Sequence, residues 1–288
     1  MSYDEFHVLE TGTILDEIVR SRKQILEVEK GELPLSAIVG SIEGDERKQG
    51  IKVDFAERLR MGTDRTAGGA KLRVIGEIKR ASPSKGVFND KLNAVAQAEK
   101  YAAAGCAAVS VLTEQNFFKG SSGDLSDIYE HMGHDAGRPA LLRKDFLFDP
   151  YQIFESRYLG ADAILLIVSI LRVDLLSSLI EVTRELGMEA LVEVHTEEEL
   201  RIAESVGARV IGINNRNLST FFEDLGTFER LSKLCSSQAV LVAESAISSR
   251  SDAERMHRSG ATALLVGESL VRSGNVDDFA GSLMLLEN

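Results

Sequence analysis

From Leu72 onward, short apolar runs alternate with longer stretches in which apolar residues recur every three or four positions. The short runs are LRVIGEIK, AAVSVLT, PALLRKD, DAILLIV, EALVEVH, RVIGINN, AVLVAES and ALLVGES. Near-continuous apolar runs of this length predict strands buried on both faces, as in a parallel sheet. Between them, NAVAQAEKYAAAG, DPYQIFESRYLG, LLSSLIEVTRELG, TEEELRIAESVG and SRSDAERMHRSG read as helices closed by glycine. Asp149-Pro150 and Thr196-Glu197 supply a capping side chain followed by a residue suited to a first helical turn. The last strand residues before the loops read as Lys79, Thr113, Asp145, Val168, His195, Asn215, Ser245 and Ser269. Eight strand-then-helix units predict a parallel sheet with crossover helices. Closure into a (β/α)8 TIM barrel leads over an open doubly wound sheet.

Residues 1–71 read as an N-terminal helical extension packed on the barrel, and 72–288 as the barrel, one catalytic domain in all. In TILDEIVRSRKQILEVEKG, Ile14, Ile18 and Ile25-Leu26 fall near one helical face. DFAERLR is a second, looser segment. Such a leader either caps the barrel base or leans over its mouth, and the pattern leaves both open.

Charge narrows the partners. With 33 Lys and Arg against 45 Asp and Glu, the net charge is −12. Nucleic acid is not expected, because phosphate neutralisation needs a basic face. A small anionic metabolite is allowed, since it needs only a locally positive pocket. The longest apolar stretch, AILLIVSIL, is far short of the ~20 residues that span a bilayer. The start, MSYDEFHVLE, lacks signal-peptide order, so a cytoplasmic location is expected, with a plastid form trimmed of its leader as the alternative. Cys106 and Cys235 offer neither a disulfide framework nor metal-ligand spacing.

In a barrel, the C-terminal strand ends form the active face. Collected there are Glu77, Lys79 and Ser82, then Lys144 and Asp145, Glu193, Asn214 and Arg216, Glu244-Ser245 and Gly267-Glu268. Lysines close to one another and to an arginine are expected to have lowered pKa values, with a nearby carboxylate staying ionised, which suits general acid–base work on an anionic substrate. Asp145 and Glu244 read equally as rim salt bridges. The HMGH loop with His131 and His134 has no third ligand in view, so no metal site is expected. The turns after the last two strands are either plain βα turns or a phosphate site built from backbone N–H groups.

The ordered set EIKRASPSKG, FFKGSSGDL, LLRKDF, DPYQIFESRYLGADAILLI, LVEVHTEEEL, IGINNRNL, VAESAI and LVGESL strongly resembles the indole-3-glycerol phosphate synthase family of tryptophan biosynthesis. The likeness runs from about Leu72 to Val271, with ILDEIVRSRKQ and DFAERL similar in the leader. It implies a (β/α)8 barrel that cyclises 1-(2-carboxyphenylamino)-1-deoxyribulose 5-phosphate with loss of CO2 and water, using neither metal nor organic cofactor. By position, Lys144 matches the general acid on the substrate carbonyl, and Lys79 the lysine that contacts the substrate carboxylate and serves as acid in dehydration. Glu77 matches the base in dehydration or a lysine's partner, and Glu193 the carboxylate that stabilises the cationic intermediate. Asn214 and Arg216 match a pair that orients substrate and catalytic groups. Ser82, Ser245, Ala246, Ile247, Gly267 and Glu268 match phosphate- and substrate-contacting positions, and Phe118 and Phe146 the wall beside the anthranilate ring. Ala246 stands where the family commonly has Gly, and the leader segment EGDERKQG and the FFKGSSGDL loop depart in detail. The implied partner is a small phosphosugar; a monomer is expected, with contact to other tryptophan-pathway enzymes left open. The other readings are a related phosphosugar barrel, namely phosphoribosylanthranilate isomerase or a Schiff-base aldolase, and a non-catalytic phosphoribosyl-binding subunit.

Overall fold

The apolar runs form eight parallel strands that close on themselves. In this computed structural model, residues 8–44, 51–60, 70–87, 89–236 and 238–286 are described. The barrel strands are β1 (Arg73–Ile78), β2 (Ala108–Leu112), β3 (Ala140–Lys144), β4 (Ala163–Ile167), β5 (Glu189–Val194), β6 (Val210–Asn214), β7 (Val240–Glu244) and β8 (Ala263–Val266). Each pairs with the next in chain order, and β8 closes on β1 with Arg73 opposite Ala263. The fold is a (β/α)8 TIM barrel.

Before the barrel come α1 (Ile14–Glu32), α2 (Leu35–Gly44) and α3 (Phe55–Arg60). The crossover helices are α4 (Ala94–Ala103), α5 (Ser122–Met132), α6 (Pro150–Tyr158), α7 (Val173–Glu185), α8 (Glu197–Ser205), α9 (Gly226–Leu231), α10 (Arg250–Arg258) and α11 (Glu268–Arg272), and α12 (Val276–Leu283) follows. Side chains of Asp149 and Thr196 accept N–H groups of the first turns of α6 and α8, so both sequence-read helix starts are true caps. None of the helices among the described residues is long and apolar enough to cross a membrane.

The strand ends read from sequence run one residue long at seven strands and three at the last. At β8 the cause is Gly267, which caps α11 and takes Glu268-Ser269 into the helix.

The leader does both things that the pattern allowed. Leu15, Ile18, Val19, Arg22 and Leu26 are the buried face of α1, which leans over the C-terminal mouth; Ile14 and Ile25 are only half-buried. At the opposite end, α3 closes the base: Arg58 donates to the Ala136 carbonyl at 2.6 Å and Arg60 to that of Gln238 at 3.1 Å, just before β3 and β7. Of the departing segment EGDERKQG, residues 45–50 lie outside the described residues.

Candidate active site

Side chains two apart on a strand share a face, and the barrel register brings one such set to a single level. Glu77 lies opposite Ser110, Ile167 opposite Glu193, and Asn214 opposite Glu244. Glu77, Ile167, Glu193, Asn214 and Glu244, together with Lys144, which ends β3, line a cavity of about 370 Å³ at the mouth. All of the sequence-read site residues line it: Glu77, Lys79, Ser82, Phe118, Lys144, Phe146, Glu193, Asn214, Arg216, Ser245, Ala246, Ile247, Gly267 and Glu268.

Lys144 is the hub. Its Nζ lies 2.9 Å from Glu244, 3.4 Å from Glu193 and 4.0 Å from Glu77. Burial alone would lower its pKa, but Glu244, Glu193 and Glu77 outweigh it and hold the ammonium well above the ordinary lysine value. Glu77 also receives Lys79 Nζ at 2.5 Å. Burial pushes the Glu77 carboxyl up, yet Lys79 and Lys144 bring it below the usual range. Glu193 has the same balance: burial against Lys144, His195 and the Asn214 amide, which donates at 3.2 Å, with the net result strongly downward. Glu244 goes the other way. Burial leads, Glu193 adds repulsion, and Lys144 compensates only in part, so its pKa is raised. Its Oε1 is buried with no hydrogen-bond donor.

Two glycines make room for these carboxylates. A Cβ on Gly212 would meet Glu244 Oε1 at 2.0 Å, and one on Gly267 would meet Glu77 Oε2 at 2.5 Å.

The residues flanking Lys144 lock β3 from behind. Arg143, fully buried, pairs with Glu155 at 2.7 Å and donates to Ser156 Oγ at 3.1 Å. Asp145 accepts from Thr113 Oγ1 at 2.6 Å and from the Phe146 N–H at 2.8 Å, with Arg22 of α1 3.5 Å away. Of its two sequence readings, Asp145 therefore takes the rim salt bridge.

One wall is aromatic: Phe118 and Phe146 have ring centroids 6.0 Å apart. The loop bearing Phe118 is gripped by Glu114, whose buried carboxylate accepts the N–H groups of Asn116, Phe117 and Phe118 at 2.9, 2.7 and 3.0 Å. The opposite side is backbone. Ser245 and Ala246 have successive positive φ angles, 64° and 62°. Asn215 holds this turn, its Nδ2 donating to the Glu244 carbonyl at 3.0 Å and its Oδ1 accepting the Phe228 N–H at 3.0 Å. Glu268 faces Lys85 at 2.7 Å and Arg272 at 3.1 Å, so its charge is neutralised beside that turn. Arg216 donates to Ser84 Oγ at 2.6 Å and pairs with Glu223, linking the β6 loop to the loop after β1.

Sequence reading did not single out Glu114, Asn215 or the α1 residues Ile14, Leu15 and Ile18 that complete the cavity. Glu244, collected among the strand-end polar residues and read equally as a rim salt bridge, belongs to the buried cluster through Lys144. It sits at a strand end with the same inward parity as its neighbour Asn214.

The family profile described as indole-3-glycerol phosphate synthase matches residues 15–283. An indole-3-glycerol phosphate synthase of Dehalococcoides mccartyi is 42% identical over 263 residues, covering 91% of this chain and 96% of that protein. A multifunctional tryptophan biosynthesis protein of Schizosaccharomyces pombe is 45% identical over 236 residues, which is 82% of this chain but only 30% of that protein. The barrel superposes on a 3-hexulose-6-phosphate synthase of Salmonella typhimurium with a TM-score of 0.60 at 14% identity, over 74% of this chain and 97% of that one. At that identity the likeness speaks for the fold alone.

Proposed function

Because the chain belongs to the indole-3-glycerol phosphate synthase family, we propose that its cavity closes the indole ring of 1-(2-carboxyphenylamino)-1-deoxyribulose 5-phosphate. The products are indole-3-glycerol phosphate, CO2 and water. The observation that carries this reading is the placement of Lys144 among three carboxylates, between an aromatic wall and a backbone turn.

Ring closure joins the ring carbon bearing the carboxylate to the ketone carbon. An ammonium directed at the ketone oxygen stabilises the charge that develops there. Lys144 holds its proton firmly, so it acts first by hydrogen bonding to that oxygen and donates as the oxygen becomes basic. Attack leaves positive charge conjugated with the anilino nitrogen, which Glu193, ionised in the cavity, offsets. The carboxylate then leaves as CO2 and its electron pair restores the aromatic ring. Lys79 faces the substrate carboxylate in this scheme and later protonates the departing hydroxyl. Glu77, 2.5 Å from it, removes the proton that completes the pyrrole double bond. The phosphate rests against the Ser245–Ile247 turn and Gly267-Glu268, with Ser82 and Arg216 closing over the sugar and Phe118 and Phe146 flanking the anthranilate ring.

A Schiff-base route needs a lysine whose pKa is lowered. Lys144 is shifted the opposite way. A cytoplasmic monomer completes the proposal, with contact to other tryptophan-pathway enzymes left open; the fungal relative is named a multifunctional tryptophan biosynthesis protein. The test is indole fluorescence after adding the carboxyphenylamino sugar phosphate. Lys144→Met is expected to lose about 10³-fold in turnover, and near-normal turnover overturns its role at the carbonyl.

A further inference from the structure

His195 follows β5 directly, and its ring stands between two carboxylates. Nε2 is 3.3 Å from Glu193 Oε1 and Nδ1 is 3.2 Å from Glu199 Oε2. Glu199 is itself anchored in the first turn of α8: its carboxylate accepts the His195 N–H at 2.6 Å, and its own N–H donates to Thr196 Oγ1 at 3.1 Å. A neutral imidazole can donate from only one nitrogen, whereas here both face carboxylate oxygens. The Nε2 contact lies off the line of a good hydrogen bond, so its main content is charge.

The buried cluster needs that charge. Glu77, Glu193 and Glu244 are three carboxylates, against which Lys79 and Lys144 supply two ammonium groups. His195 is the third cation, shared with a fourth carboxylate, Glu199. The histidine does not line the cavity, so whatever it does for a bound substrate passes through Glu193. The groups facing Glu193 are Lys144 from β3, Asn214 from β6, Glu244 from β7, Glu77 from β1 and His195 itself. When Lys144 turns to the substrate oxygen, Glu193 retains two partners on Oε1, Asn214 and His195, and only the latter is charged.

We propose that His195, anchored by Glu199 at the start of α8, is a positioning residue that keeps Glu193 ionised and aimed into the cavity while Lys144 engages the substrate. The proposal rests on the ring-closing reaction assigned above. Burial by itself would lower the His195 pKa, but Glu193 and Glu199 outweigh it and push it up to about 10, so the cation persists across the working pH range.

The experiment compares wild type with His195→Gln, which retains an amide donor but no charge. Without the cation, the carboxyl pKa in the Glu193–Glu244 pair rises, and the acid limb of the kcat/KM profile moves upward. A shift of about one pH unit, equivalent to about tenfold lower activity on that limb, is expected, with kcat falling more than KM rises and activity recovering as pH increases. A purely structural role moves no pH limb. An unmoved acid limb in folded His195→Gln overturns the proposal. If His195→Gln does not fold, His195→Asn, also an uncharged amide, is to shift the limb the same way, and an unchanged profile there overturns it equally.

A readout independent of turnover separates the two claims. A histidine whose folded pKa is raised contributes stability below its unfolded pKa and loses it as pH rises through the folded value. The urea midpoint of wild type should therefore exceed that of His195→Gln most clearly at pH 6, with the gap narrowing by pH 10. A gap constant with pH counts against the charged contact. Absence of indole product from wild type counts against the assigned reaction and leaves this comparison to decide the contact.

Discussion

Lys144→Met, made alone and together with Glu244→Gln, tests whether the hub lysine is what keeps three carboxylates charged in one buried site. At an effective dielectric of about 20, unit charges 4 Å apart attract by about 4 kcal/mol. Lys144 has Glu244, Glu193 and Glu77 at or within that distance. When it is removed, two of the three retain a cation, Glu77 through Lys79 and Glu193 through His195. Glu244 keeps none, since its remaining oxygen already lacks a donor. The defect therefore collects on Glu244. Leaving one buried charge without its partner costs about 3–5 kcal/mol, unless the group takes up a proton.

That escape makes the cost pH-dependent. In the variant, the folded pKa of Glu244, already raised by burial, rises further above an unfolded value of about 4.3. A group shifted upward contributes stability that is present below its unfolded pKa and is lost as pH climbs through the folded pKa. Since Glu244 in wild type is itself raised to about 7, the gap between wild type and Lys144→Met should be small at pH 5, open only above pH 7 and reach about 1.4 kcal/mol by pH 8. One proton supports at most about 1.4 kcal/mol per pH unit, so a rise of this size over that interval is within reach. Replacing Glu244 by Gln removes the stranded charge and should restore most of the stability at pH 8, while turnover stays lost because Lys144 is still absent. Urea denaturation of wild type, single and double variants at pH 5 and 8, with indole fluorescence for turnover, measures both. An equal stability gap at the two pH values, or no recovery in the double variant, refutes the reasoning.

Ala246 occupies the left-handed region at φ 62°, which costs an L-residue roughly 1–2 kcal/mol that glycine largely avoids. After subtracting the chain entropy of glycine, Ala246→Gly should stabilise by about 0.5–1 kcal/mol, measured by urea midpoint; a loss of stability would show that the methyl contributes packing instead. Asn215→Ala strips partners from the Glu244 carbonyl and the Phe228 N–H. It should cost about 2–3 kcal/mol and raise KM more than it lowers kcat, and an unchanged KM would detach Asn215 from the substrate turn. Glu114→Gln presents an amide N–H to part of a three-donor cradle. About 2 kcal/mol of lost stability and a raised KM are expected, and an unaltered KM would mean that Phe118 holds its place without this grip.

The barrel was legible because its strands are buried on both faces and so announce themselves as apolar runs, with charge confined to their ends. The ends were placed one residue too far along because a polar residue just past a strand looks the same in sequence as one that closes it. Only β8 misled by more, since GES continues the strand's pattern while Gly267 starts a helix. Side-chain parity explains why Glu77, Lys144, Glu193 and Asn214 were found: each is inward and either ends its strand or stands one residue before the end, where period two and the register converge. Residues that act on backbone were not visible. Glu114 and Asn215 bind N–H and carbonyl groups of turns, and no hydrophobic period marks a side chain whose partner is main chain.

The leader shows the same limit from another direction. Its helix was readable from spacing, but the mouth-facing role of Ile14, Leu15 and Ile18 depends on where α1 docks. Docking is set by polar contacts that join distant parts of the chain: the buried Arg22 with Asp145, Lys30 with Asp149 at 2.7 Å, and the exposed Asn116 with Ser21 at 2.7 Å. All three anchors on the barrel side belong to the loops after β2 and β3, the loops that also carry Phe118 and Phe146. The leader and the aromatic wall therefore share their supports, so loosening either should loosen the other. Charge placement inside the barrel is settled strand by strand, whereas the shape of its mouth is settled by contacts between segments about a hundred residues apart, and only the first of these can be read from a local pattern.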